Sequence, residues 1–161
     1  MRLTLISAAL CASTLAGASE PSAEDRQVED LRSCMQVKDG LVEPCLGTIA
    51  DPCQETADGA TTIGITECLA TEARAADAVL NQNYAAALEG ARAVDVELGG
   101  TAPEAEDALR SAQRAWIAFR DAECGRLYAL DRGGTIRSIV HADCVRRLTA
   151  QRADALSPAE R

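Results

Sequence analysis

The sequence predicts an all-α protein: a disulfide-stabilised antiparallel three-helix bundle with a short helical, Cys-containing N-terminal extension. Three observations predict it. Apolar residues recur at helical spacing over long stretches, as in Ile65, Leu69, Ala73, Ala76, Leu80, Tyr84 and Leu88, which step by three or four. Aromatic residues make up only 2% of the 161-residue chain. That is thin for a sandwich or barrel, whose strands favour aromatic and β-branched side chains, whereas the abundant alanine favours helix. Six of the seven cysteines lie beyond an export leader, and an even number in an exported chain suggests three disulfides. The length suits one domain and is short for two.

The leader is read at residues 1–18. Arg2 supplies a positive start, Leu3 to Leu15 carry no charge, and Ala16-Gly17-Ala18 has the small-x-small pattern of a cleavage site. The uncharged stretch is too short to span a bilayer. A lipid anchor would need a Cys directly after Leu15-Ala16-Gly17, where Ala18 stands. Cleavage would leave Ser19 as the new N-terminus, remove Cys11, and carry the formal net charge from −9 to −10 with the loss of Arg2. The expectation is a product without a membrane span, in the periplasm or secreted.

Residues 19–60 form the predicted extension and 61–157 the helical domain. In the extension, Ser22 can cap a helix over Glu20 to Met35, with Glu24 and Asp25 in the first turn and Val28, Leu31 and Met35 on one stripe. Pro44, Gly47, Pro52 and Gly59 make residues 40–61 irregular. The first long helix runs from Thr62 or Thr66 to Leu88, and Gly90 and Gly99-Gly100 mark a loop of about ten residues. Thr101-Ala102-Pro103-Glu104 has the spacing of a capping box with Pro in the first turn. It opens a second helix whose apolar face is Leu109, Ala112, Trp116, Phe119 and Leu127, ended by Gly133-Gly134. Thr135 caps a third helix, with Val140, Cys144, Leu148 and Ala155 on one face and Ser157-Pro158 at its close. Short connections make antiparallel neighbours. With so much alanine, the core should depend on Leu80, Tyr84, Leu109, Trp116, Phe119 and Leu148.

Six cysteines allow fifteen pairings. Cys124 precedes Gly133 by nine residues and Cys144 follows Gly134 by ten. In a hairpin turning there, the two stand at about the same height, which pairs them. Cys34 with Cys45 and Cys53 with Cys68 are then the simplest local pairs. A competing set links Cys53 or Cys68 to Cys124 or Cys144, because the first long helix begins near the level at which the second ends.

Residues fit for catalysis are few. His141 is the single histidine, and no Gly-x-Ser-x-Gly elbow, phosphate-binding loop or metal motif is present. The cysteines lack a Cys-x-x-Cys pair, so disulfides are preferred to zinc. Glu104 and Glu106, or Asp121 and Glu123, stand at i, i+2 and do not face each other on a helix. Arg120, four residues after Trp116, needs a carboxylate at the core edge, and Glu72 or Asp77 of the first long helix could supply it. Trp116, Arg120, Asp121 and Tyr84 are thus expected to be structural. No catalytic residue, metal or cofactor is expected, and the acidic balance argues against nucleic acid as a partner.

The residues Cys68, Glu72, Asp77, Leu80-Asn81, Tyr84, Gln113-Arg114-Ala115-Trp116-Ile117, Arg120-Asp121-x-Glu123-Cys124, Gly133-Gly134-Thr135, Cys144, Thr149, Arg152 and Leu156 form an ordered pattern. It resembles the LprI-like lysozyme-inhibitor domain, a family of small exported bacterial proteins, over roughly residues 53–156. The resemblance implies a helical disulfide-bonded domain and inhibition of lysozyme by binding, without chemistry of its own. It also implies a basic target, since C-type lysozymes are strongly basic. Charge fits that implication. Residues 19–60 hold ten acids and three bases, and residues 61–130 eleven and six. Residues 131–161 hold four acids and six bases. Asp95, Glu97, Glu104, Glu106 and Asp107, near the loop between the first two long helices, are the candidate partner-binding residues. The alternative is a non-catalytic interaction or structural protein of the cell envelope with a different partner.

Overall fold

The computed structural model describes residues 20–37, 42–99 and 104–158. Helices α1 (Ala23–Val37), α2 (Ala50–Gln54), α3 (Thr62–Leu98), α4 (Ala105–Leu130) and α5 (Arg137–Ala155) follow in order, with a 3-10 turn at Glu43–Cys45. The fold is all-α, with no strand among the described residues. The leader read at residues 1–18 lies outside them.

The extension forms as its pattern suggests. Ser22 Oγ accepts the Asp25 N–H at 3.1 Å, and the Asp25 carboxylate accepts the Ser22 N–H at 3.1 Å. This reciprocal cap starts α1. Val28, Leu31 and Met35 are buried. They share one core with Val42, Cys45 and Ile49, with Ala75, Ala76, Val79 and Leu80 of α3, and with Ala150 and Ala153 of α5. The extension therefore supplies large side chains that the alanine-rich helices lack. Leu31, Leu80 and Val79 are the largest apolar residues that are fully buried.

All three disulfides are of the local set. Cys34–Cys45, Cys53–Cys68 and Cys124–Cys144 have Cα–Cα distances of 5.8, 5.7 and 5.5 Å. The first closes the extension on itself, the second ties α2 to the start of α3, and the third joins α4 to α5.

Several boundaries and core positions differ from the sequence reading. Helix α3 does not stop at Leu88. It runs through Gly90 to Leu98 and ends at Gly99, whose φ of 67° gives the left-handed C-cap that glycine takes without strain. A single glycine costs about 1 kcal/mol inside a helix, which the surrounding alanines outweigh. Residues Thr101 to Pro103 of the expected capping box lie outside the described residues, and the side chain of Glu104 makes no cap. Helix α4 ends at Leu130, before the glycine pair, and α5 starts after Ile136 with no cap from Thr135.

The apolar face of α4 differs in phase from the expected one. Its buried residues are Gln113 and Cys124, Trp116 is half-buried against the main core, and Phe119 is 56% exposed. Gln113, Trp116, Arg120 and Cys124 fall on one side of a helix, and Phe119 lies about 100° round from its centre. Tyr84, Leu109 and Leu148 are half-buried.

Helix α5 lies against both α3 and α4, and more extensively against α3. At 37 residues, α3 is about 55 Å long, against about 28 Å for the 19 residues of α5. The end of α5 is marked by Asn83, which donates to the Ala153 carbonyl at 2.7 Å, and by Gln113, which accepts from Arg152 at 3.0 Å. Beyond that level α3 and α4 continue as a two-helix arm. No residue of α3 past Leu80, and none of α4 before Gln113, is buried.

Candidate functional site

Two regions carry the chemistry: the tip of the arm, and a cleft between the long helices on the opposite side of the α5 terminus. A third arrangement, around Glu72, holds the extension against α3 and α5.

Glu72 sits in the middle of the buried stripe of α3, between Cys68 and Ala76, and is 0% exposed. Its carboxylate accepts from the backbone N–H groups of Gly47, Ile49 and Ala50 at 2.8, 2.9 and 2.8 Å. Arg146 of α5 completes the set at 2.9 Å and also pairs with Asp143. Burial acts to lower the Arg146 pKa, but the hydrogen bond to Asp143 and the charge of Glu72 outweigh it and hold the guanidinium above its ordinary value. A buried carboxylate persists only with such partners. Glu72 thus ties the start of α2, α3 and α5 together.

This arrangement corrects the expectation for Arg120. Its Nε and Nη2 bind Asp121 Oδ1 at 2.9 and 2.8 Å, and its guanidinium lies 5.1 Å from the centre of the Trp116 ring. Neither Glu72 nor Asp77 pairs with it. Glu72 is filled by the four donors above, and Asp77 accepts from Asn81 at 2.9 Å. Arg152 approaches the same indole at 6.0 Å, so two guanidinium groups lie near the Trp116 ring. Tyr84 lies half-buried on α3.

At the tip, the five candidate acids divide by role. Asp95 lies in the last turn of α3, where its two carboxylate oxygens accept the N–H groups of Ala105 and Glu106 at 2.6 and 2.9 Å. It caps α4 from the neighbouring helix. Glu106 bridges Arg92 at 3.0 Å and Arg110 at 2.6 Å. The hydrogen bond from Arg92, then that from Arg110, hold its carboxyl below the usual carboxylate range. Glu97, Glu104 and Asp107 are exposed and make no ion pair among the described residues. Beside them Val96 and Leu98 are 83% and 66% exposed. The tip therefore presents apolar side chains among uncompensated carboxylates. Of the other acid pair, Asp121 holds Arg120 and Glu123 holds Arg126 at 2.5 Å.

The cleft, about 980 Å³, runs between α3 and α4 and is floored by α5. Its small lining residues are Ala70, Ala73 and Ala78 of α3, Gly125 of α4 and Ala142 of α5. Arg74 and Arg120 line it together with Glu24 and Asp77. His141 stands edge-on to Tyr128, with ring centres 6.0 Å apart. Thr149 is 1% exposed, and its Oγ1 has no hydrogen-bond partner. The sequence reading missed this cleft and the Glu72 network. The one available signal was a carboxylate at position 72 within an inward-facing apolar stripe. Among the described residues, no group of three His, Cys, Asp or Glu side chains could hold a metal ion. None of the described helices is long and apolar enough to cross a membrane.

Fold and chemistry define a small all-α disulfide-bonded domain whose acids face solvent at a protruding tip. The family described as Lysozyme inhibitor LprI matches residues 53–156, and the chain belongs to that family. An uncharacterised protein of Rhizobium meliloti (strain 1021) is 38% identical over 88 residues, covering 53% of this chain and 63% of that protein. The chain thus spans less than two thirds of that relative. No solved structure matches it.

Proposed function

We infer that the protein is an exported inhibitor that binds a basic lysozyme and works in the periplasm or outside the cell. The family match carries this reading. The three disulfides support an oxidising location. The tip supports a binding mode: Glu97, Glu104 and Asp107 offer negative charge to a basic surface, and Val96 and Leu98 offer apolar contact at the centre of such a patch. Asp95 and Glu106 hold the two helices in register beneath these side chains. Inhibition in this reading is occlusion and consumes nothing, so it should be stoichiometric.

The test is a turbidity assay of cell-wall clearing by basic lysozymes, titrated with the protein after leader removal. Clearing should fall in proportion to added protein and level off near one equivalent. Full clearing at a large molar excess, for every lysozyme tried, would reject the reading. Binding without inhibition would assign the protein to the alternative, a non-catalytic interaction partner in the envelope.

A further inference from the structure

We propose that the cleft between α3, α4 and α5 is a binding site for a neutral oligosaccharide, separate from the tip and not required for inhibition. Size comes first. At about 980 Å³ the cleft stands at the upper end of the roughly 300–1,000 Å³ typical of small-molecule sites, large enough for more than one sugar ring.

Charge then narrows the ligand. Two arginines, Arg74 and Arg120, and two acids, Glu24 and Asp77, line the cleft. In a chain of net charge −9, this wall is balanced. Arg120 already holds Asp121, and Asp77 already holds Asn81. With two charges of each sign, the lining offers no net counter-charge to an ionic ligand.

The remaining polar groups are of one kind. Thr66, Tyr128, Ser138 and Thr149 present hydroxyls, Asn81 an amide and His141 an imidazole. Each can both donate and accept, as a ligand rich in hydroxyls requires. Asn81 spends one N–H on Asp77 and keeps its oxygen free among the described residues. Thr149 adds an independent sign. A buried hydroxyl without a partner is costly, and this one lies in the lining of an open cleft. The Oγ1 is closed to solvent, so a sugar hydroxyl satisfies it only where the small side chains around it shift. The small alanine and glycine residues of the lining suit the apolar C–H face of a sugar ring.

Isothermal titration and amide-shift mapping test this on the intact protein with three probes: chitotriose, whose rings carry acetamido groups; maltotriose, whose rings do not; and trialanine. At least one trisaccharide should bind saturably, moving amides of residues 66–81, 120–128 and 138–149. Which of the two binds reports whether acetamido groups are recognised. Thr149→Val and Asn81→Ala should each weaken binding roughly 3–10-fold, the share of one lost hydrogen bond. Thr149→Val keeps the side-chain shape and removes an unpaired hydroxyl, so its thermal midpoint should match or exceed that of the parent. Lysozyme inhibition by both variants should be unchanged, which separates this site from the tip. The proposal fails if neither trisaccharide binds saturably at millimolar concentration. It fails equally if trialanine alone binds, or if both variants keep the parent affinity.

Discussion

Three backbone N–H groups and one guanidinium converge on Glu72, and the consequences follow from burial. The carboxylate is fully desolvated, so its hydrogen bonds meet no competition from water. Glu72→Ala would leave Gly47, Ile49 and Ala50 with unpaired donors and strand Arg146 beside Asp143 alone. Breaking a buried ion pair from one side costs about 3–5 kcal/mol. Urea unfolding followed by circular dichroism should show a loss of that order, with amide exchange rising first over residues 42–54. Glu72→Gln keeps the volume but turns an N–H₂ towards one of the donors, and should cost less than the alanine change. A loss below about 1 kcal/mol in Glu72→Ala would mean that the extension is held by its apolar contacts and disulfides alone. The position of this residue on the inward stripe was legible in the sequence; its partners were not. Two of the three backbone donors come from an irregular stretch whose turn at Gly47 has a φ of 98°, and no periodicity locates such a turn. The same holds for the cleft, since small residues on three separate helices announce nothing until the helices are placed.

At the scale of the elements, the long helices were legible because their apolar spacing is sustained, and their ends were not. Gly90 and Gly99 read alike as letters. What separates them is that the first lies in an alanine-rich run, with Ala85 to Ala87 before it and Ala91 and Ala93 after it, whereas Gly99 is followed by Gly100 and, soon after, Pro103, which deny the helix any continuation. The phase of α4 is hidden in the sequence for a related reason. Phe119 is a large apolar residue, yet the inward side holds Gln113 and Arg120, whose polar ends are satisfied by Arg152 and Asp121. Hydrophobicity alone ranks those positions the wrong way round.

The join of α3 to α4 can be tested directly. Asp95→Ala removes the cap on Ala105 and Glu106, which should cost about 0.5–2 kcal/mol and speed exchange of those two amides while leaving α5 unaffected. Acid should loosen the same join. The Glu106 carboxyl is held below its usual range by Arg92 and Arg110, so its contribution is fully present at neutral pH and is lost as the pH falls through its lowered folded value. Amide exchange in the arm, corrected for the intrinsic pH effect, should therefore rise relative to α5 at strongly acid pH. The Cys124–Cys144 bond acts at the other end of α4, closing a loop of sequence separation 20. Replacing both cysteines by serine should cost on the order of 3 kcal/mol by the chain-entropy argument. The loss should appear as fraying of α4, which packs little on α3.

For the whole molecule, charge and shape act together. The extension and the first two long helices carry the acid excess, whereas residues 131–161 are net basic. The charge is therefore uneven along the chain, and a basic partner is drawn to the net-negative surface before any contact forms. Attraction between exposed charges is screened beyond about 8–10 Å at physiological ionic strength, so association with a basic lysozyme should slow as salt is added. The three uncompensated acids should account for much of this. Glu97→Gln, Glu104→Gln and Asp107→Asn together should lower the association rate and flatten its salt dependence. The change should fall mainly on that rate, because exposed charges steer encounter more than they hold the final complex. Val96→Ala with Leu98→Ala should act in the opposite way, quickening dissociation with little effect on association, since apolar contact is made only after docking. Stopped-flow or surface-binding kinetics at several salt concentrations separates the two. An unchanged association rate in the triple variant, with inhibition intact, would move the lysozyme contact away from the tip to the acidic surface of the extension.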